Sequence, residues 1–181
     1  FGALSFGRPT MLIWIIFLLT FNQTLHMNAV EGGIKDSDHD FVMGVKNIAL
    51  GSGVKVEGDK IFIPSHFKAF GMGIRLFSAF LLFTPFVFLG NEYYLWQIVV
   101  LALATIGMIY FSLKLLFIKV FDREVIRKYI GLQSFLRYSL VPLMLIPFIG
   151  ILYSVILIFF PIAWYIIFTP LVGEKLFRPR M

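Results

Sequence analysis

The chain has 181 residues, 59% of them hydrophobic and only 14% charged, with a formal net charge of +6 and a pI near 9.7. A soluble domain uses about 25% charged residues to cover its surface, so this composition argues against a water-soluble globule, and the absence of cysteine excludes disulfides, thiolate metal sites and cysteine nucleophiles. The basic residues flank apolar runs, a placement that fits the membrane–water interface and not a nucleic-acid groove.

Residues 1–25 read as an N-terminal anchor helix. Met11–Leu19 is a short apolar run behind Arg8 and Pro9, with the look of a signal-peptide core. Met27-Asn28-Ala29 offers no small-x-small cleavage site, so residues 10–25 are expected to remain as a helix, short for a full span. Residues 26–68 read as a polar extramembrane connector that carries Glu31, Lys35, Asp36, Asp38, Asp40, Lys46, Lys55, Glu57, Asp59 and Lys60. Within it, Val54–Ile63 alternates on either side of Gly58-Asp59, a hairpin signal, because glycine supplies the positive φ of a tight turn. An isolated hairpin is marginally stable, so this one is expected to lean on another surface.

Residues 69–121 read as a transmembrane helical hairpin. The first helix has Arg75 near its start and Pro85 near its end, a tight turn falls at Asn91–Tyr94, and the second helix begins at Leu95. No Asp, Glu, Lys or Arg occurs from Leu95 to Leu113. Uncharged apolar runs of about 18 residues or more match the roughly 30 Å hydrocarbon core, and within lipid the backbone must bond to itself, which makes them helical. Asp122 looks like an N-cap for an amphipathic helix over 122–138. Ile126, Tyr129, Ile130 and Leu136 share a face while Arg123, Arg127 and Lys128 point elsewhere, so this helix is expected to lie along the headgroups.

The last uncharged run, Tyr138–Gly173, would be roughly 54 Å long as one helix. It is too long for one upright span, and Pro142, Pro147 and Pro161 can break it. Residues 139–173 are therefore expected to be a broken long transmembrane or re-entrant segment, followed by a basic tail over 174–181. The fold class that results is an all-α integral membrane protein with about four transmembrane or membrane-embedded helices, one amphipathic interfacial helix and a small polar connector. Lys114, Lys119, Arg123, Arg127, Lys128 and Arg137 cluster after the second helix of the hairpin, which places that side in the cytoplasm or matrix of a bacterial or mitochondrial inner membrane.

Asp36-Ser37-Asp38-His39-Asp40 is the one stretch with metal-ligand types at alternate positions. A calcium loop needs glycine at its sixth position and an acid at its twelfth, where this chain has Phe41 and Asn47. Asp36, Asp38, His39 and Asp40 thus stay as candidates only, with no metal assigned. Arg75 can snorkel to headgroups from near a helix start, and with Lys114, Lys119, Arg123, Arg127, Lys128 and Arg137 it forms the expected lipid-headgroup set, with bound phospholipids as its ligands. His26, His39 and His66 all fall outside the apolar runs, which argues against an imidazole-ligated pigment at depth. No nucleophile motif, phosphate loop or paired-acid arrangement is present, so no catalysis and no cofactor are expected. The function these features imply is a non-catalytic accessory or scaffolding subunit of a multi-subunit membrane complex, with other membrane-protein subunits and anionic lipids as partners and no nucleic acid. An energy-transducing membrane is a compatible setting; the alternative is a small transporter or lipid-handling protein.

Overall fold

The computed structural model describes residues 7–90 and 93–171, and for Tyr165 and Thr169 the backbone alone. Asn91 and Glu92 of the expected turn and the whole 174–181 tail lie outside the described residues. Four helices are long and apolar enough to cross a membrane: Met11–Lys35, Ser65–Phe88, Leu95–Leu116 and Ile146–Phe168.

Helix α1 runs from Met11 to Lys35, ten residues past the expected end of the anchor. The segment His26–Gly32 is wound as a π-helix inside it. A kinked region of short elements follows: α2 (Ser37–Val42), α3 (Ile48–Gly51), and the strands β1 (Lys55–Glu57) and β2 (Lys60–Phe62). Asn47 caps α3 by accepting from the Leu50 N–H at 2.8 Å. The strands pair antiparallel with Val56 opposite Ile61, turning at Gly58 with φ +61°. The hairpin does lean on a neighbour: Ile61 N–H donates to the Lys119 carbonyl at 3.1 Å and Phe121 N–H to the Asp59 carbonyl at 2.7 Å. This places the polar connector and the basic stretch that follows Leu116 in one cap.

Three long helices follow: α4 (Ser65–Phe88), α5 (Leu95–Leu116) and α6 (Arg123–Met144). Asp122 caps α6 as its side chain accepts from Glu124 and Val125 N–H. The helix expected over 122–138 continues to Met144. It runs antiparallel along α5, because Ser112 near the end of α5 meets Gln133 and Gln97 near its start meets Leu143. Its Gln133 and Arg137 are buried against partners on other helices, while Arg123 and Lys128 stay exposed.

The long uncharged run resolves into the end of α6 and a separate helix, α7 (Ile146–Leu171). Gly150, at φ +81° and ψ 161°, breaks α7 one turn after its start. Ile158 packs on the same apolar cluster as Leu140, Leu143 and Met144. Since Ile158 lies roughly 18 Å of helix beyond Ile146, α7 must fold back along the bundle instead of extending α6. Pro147 cannot donate to the Leu143 carbonyl, and the buried Gln97 replaces that donor, reaching the Leu143 carbonyl at 2.7 Å and that of Met144 at 3.4 Å.

Two apolar layers hold the molecule. One, away from the cap, gathers Ile15 and Leu19 of α1, Leu81 and Leu82 of α4, Leu101 and Met108 of α5, and Leu140 to Ile146. The other, beneath the cap, joins Val30 and Ile34, Ala49, Val54, Ile61, Phe67, Leu115, Leu116 and Ile126. Close approach matters in the second: a Cβ on Gly33 would stand 2.6 Å from the Ala49 Cβ.

Candidate functional site

Between the two apolar layers, four helices bring polar side chains to one point. Glu31 of α1 is 2% exposed. Its Oε1 accepts from Arg75 Nη2 of α4 at 2.8 Å, from Arg137 Nη1 of α6 at 2.7 Å, and lies 3.1 Å from Nδ1 of His26. Arg75 donates further to Gln133 Oε1 at 2.9 Å and to Ser112 Oγ at 3.0 Å, and Ser112 donates to the same Gln133 oxygen at 2.7 Å. Arg137 Nη2 reaches Ser134 Oγ at 2.9 Å. All of α1, α4, α5 and α6 are thereby tied through one network.

The π winding explains how α1 contributes two members. In an α-helix, residues five apart are separated by about 140° around the axis, so His26 and Glu31 would face different neighbours. Bonds of the i→i+5 type expand the turn, and both side chains then look into the bundle.

The electrostatics are unbalanced. Two guanidiniums meet one carboxylate, leaving one positive charge in excess before the imidazole is counted, and among the described residues Glu31 is the only buried acid. Burying charge is tolerated only when it is paired and hydrogen-bonded. Arg75 is about ten residues into α4, roughly 15 Å of helix rise, which is why it needs internal partners.

This overturns part of the expected lipid-headgroup set. Arg75 and Arg137 are 1% and 4% exposed and point inward, where each donates to the Glu31 carboxylate. Lys114, Lys119, Arg123 and Lys128 are exposed at the cap end of the bundle, Arg127 is half-buried there, and the Lys114 ammonium sits 5.5 Å from the centre of the Tyr110 ring. His26, expected in an extramembrane connector, is fully buried within α1. His66 remains exposed, its Nε2 2.9 Å from the Ser52 carbonyl.

The acidic stretch is parcelled out among separate partners. Asp38 takes both oxygens to Arg123 Nη2, at 2.8 and 2.9 Å, Asp40 accepts from Asn47 Nδ2 at 2.6 Å, Asp36 lies 3.4 Å from Lys35 Nζ, and His39 is exposed. Among the described residues, no three acids or imidazoles converge as a metal site would require. Partial burial works against ionisation of Asp38, but its bond to Arg123, the His39 N–H and the Arg123 charge outweigh it and hold the carboxyl below its ordinary value.

Sequence reasoning missed Glu31, His26, Ser112 and Gln133. A signal was present: an arginine well inside an apolar helix calls for a buried acid, and Glu31 lies only six residues past the expected end of the first apolar helix. The spacing of Ala29, Val30 and Ile34 would have extended α1 far enough to bury it. No family model, curated protein or solved structure matches the chain.

Proposed function

We propose that this chain is a membrane-embedded, non-catalytic subunit that completes its helix packing against other subunits of a larger membrane assembly. Its own ionic cluster adjoins only a cavity of about 20 Å³, too small for an organic substrate. The observation that carries the reading is a groove of about 410 Å³ on the outer side of α1, lined by Phe21, Thr24, Leu25, Asn28, Ala29, Asn47 and Ile48. Asn28 is exposed there and has no hydrogen-bond partner among the described residues. An unsatisfied amide facing hydrocarbon costs several kcal/mol, and a polar group on a neighbouring transmembrane helix relieves that cost. The exposed faces around it, with Phe17, Phe21 and Met27, are apolar and continue the surface that a partner helix would cover.

Orientation follows from the cap. Lys46, Lys55, Lys60, Lys119, Arg123 and Lys128 gather at one end of the bundle, which supports a cytoplasmic or matrix location for that end in a bacterial or mitochondrial inner membrane. Trp14, Tyr94 and Trp96, exposed near the opposite helix ends, supply an aromatic belt for the other interface.

The test is site-specific photocrosslinking in native membranes, with the probe at Asn28 or Ile48 and, as a control, at the exposed Leu152 on α7. Crosslinks from the groove to one defined membrane protein are the expected outcome. A detergent-purified monomer whose groove probes label only lipid overturns the proposal. A second reading, a lipid-handling protein or small transporter, is favoured by the same groove, whose volume lies in the range of small-molecule sites. Retention of a defined lipid by the monomer, lost on Asn28→Leu, would select it.

A further inference from the structure

We infer that the buried ionic cluster is a binding site for one small monovalent anion of chloride size. Three independent observations meet at the place. The first is charge: Arg75 and Arg137 share the single carboxylate of Glu31, so one guanidinium charge is uncompensated in the interior. The second is unused donor capacity. Arg137 Nε is buried without a partner, and Arg75 Nη1 has only the Met108 sulfur, at 3.7 Å. The third is space. A cavity of about 20 Å³ adjoins the two guanidiniums and is lined by Gln23, Ser78 and Met108 on its remaining polar and sulfur-bearing sides.

Each observation narrows the ligand. The volume holds a single atom-sized species, little more than the room one water needs, so phosphate, sulfate and organic carboxylates are too large. Ser78 Oγ spends its proton on the Ile74 carbonyl and leaves only lone pairs for the cavity, while the neighbouring Leu19, Leu82 and Leu140 are apolar. Two guanidiniums against one carboxylate, whose Oε2 is itself buried without a partner, leave the surroundings of the cavity net positive, so a cation is repelled. A water would use the spare N–H groups but leave the charge uncompensated, whereas a halide answers both demands. The site is formed by residues of α1, α4, α5 and α6, so anion binding acts on the packing of four helices at once. Ligation of this kind stabilises the folded chain by mass action.

The full-length chain is purified in detergent and its thermal unfolding followed in sodium chloride, sodium bromide or sodium gluconate at equal ionic strength. The expected result is a saturable rise in Tm with chloride and bromide, but not with gluconate, that disappears in Arg137→Gln. That substitution leaves Arg75 and Glu31 as a balanced pair. A single bromide located beside Arg75 and Arg137 by anomalous diffraction of the wild-type chain gives the same answer without any variant, should Arg137→Gln not fold. Equal Tm values in chloride and gluconate overturn the inference. So does an identical halide effect in Arg137→Gln, or a bromide-soaked crystal with no anomalous peak in the cavity.

Discussion

Replacing Glu31 by glutamine tests the ionic cluster most directly. The change keeps the shape of the side chain and removes the one negative charge. At 2.8 and 2.7 Å, the gross attraction to each guanidinium is about 6 kcal/mol at an effective dielectric of 20. Most of that is offset by desolvation, and the measured cost of removing one member of a buried pair is about 3–5 kcal/mol. Here two cations lose their partner together, so Glu31→Gln is expected at or above the upper end of that range. For a chain of this size, about 5 kcal/mol corresponds to a Tm lower by roughly 10–20 °C, measured by fluorescence-detected size exclusion after a heating series in detergent. The double variant Glu31→Gln with Arg137→Gln, which leaves only Arg75 charged, should recover part of the loss. A Glu31→Gln protein within about 1 kcal/mol of wild type, or a double variant worse than the sum of the singles, refutes the reasoning.

The remaining predictions concern packing, helix ends and pH. Gly33→Ala drives a methyl into Ala49 and should cost about 1–3 kcal/mol; adding Ala49→Gly should restore most of it, as read by the same heating series. Gln97→Leu strands the buried carbonyls of Leu143 and Met144 and should cost about 1–3 kcal/mol. Pro147→Ala returns a backbone donor at that position, so the pair of changes should be milder than Gln97→Leu alone. Because the folded carboxyl of Asp38 is held below its ordinary value, its pair with Arg123 contributes above the unfolded value of about 3.9 and is lost as pH falls through the lower folded value. The pair is solvent-exposed, so the effect is a few tenths of a kcal/mol. Carbon-detected NMR titration of the Asp38 carboxyl should give a midpoint below that of the same residue in Arg123→Gln.

The strongly apolar helices were legible because their signal is additive: from Leu95 to Leu113 every residue agrees with one environment. Where the reading failed, averaging was the cause. α6 carries Arg123, Arg127, Lys128, Gln133 and Arg137, which lower its mean hydropathy, yet its far half pairs with α5 as intimately as any apolar helix. Hydropathy cannot distinguish an arginine aimed at water from one aimed at a carboxylate on another helix, since that depends on a residue 106 positions away, as in Arg137 and Glu31. The end of α1 was misplaced for a related reason: Glu31, Lys35 and the two glycines look like loop residues, while the π segment that makes them helical leaves no simple period in the sequence. Asp122 and the Gly58 turn depended only on local chemistry and were correctly placed by it.

The same distinction explains why a costly cluster sits where another apolar layer would fit. Between helices in lipid there is little hydrophobic drive, because acyl chains satisfy Leu and Phe as well as a neighbouring helix does. The layers above and below the cluster therefore hold the helices without fixing how far each is shifted along its neighbour. Glu31, reached by Arg75 and Arg137 from two other helices, fixes that shift, as a slip of α1 by one turn, about 5.4 Å, would break both of its bonds to the guanidiniums. Substituting Glu31, Arg75 and Arg137 together by methionine should then be far less destabilising than Glu31→Gln alone, since no charge is left buried, while the helix register becomes degenerate. The chain contains no cysteine, so a pair introduced by Gly107→Cys and Leu136→Cys, where a Cβ added to Gly107 would stand 3.0 Å from Leu136 Cδ1 across α5 and α6, reports the register by disulfide formation. In the otherwise wild-type chain, that pair should crosslink fully and pairs one turn away should not, because bridging fails beyond about 7 Å between Cα atoms. In the triple methionine background the yield should spread over both. A triple variant that keeps the single wild-type register would show that apolar packing alone aligns the helices, and the cluster would then have no role in specifying the fold.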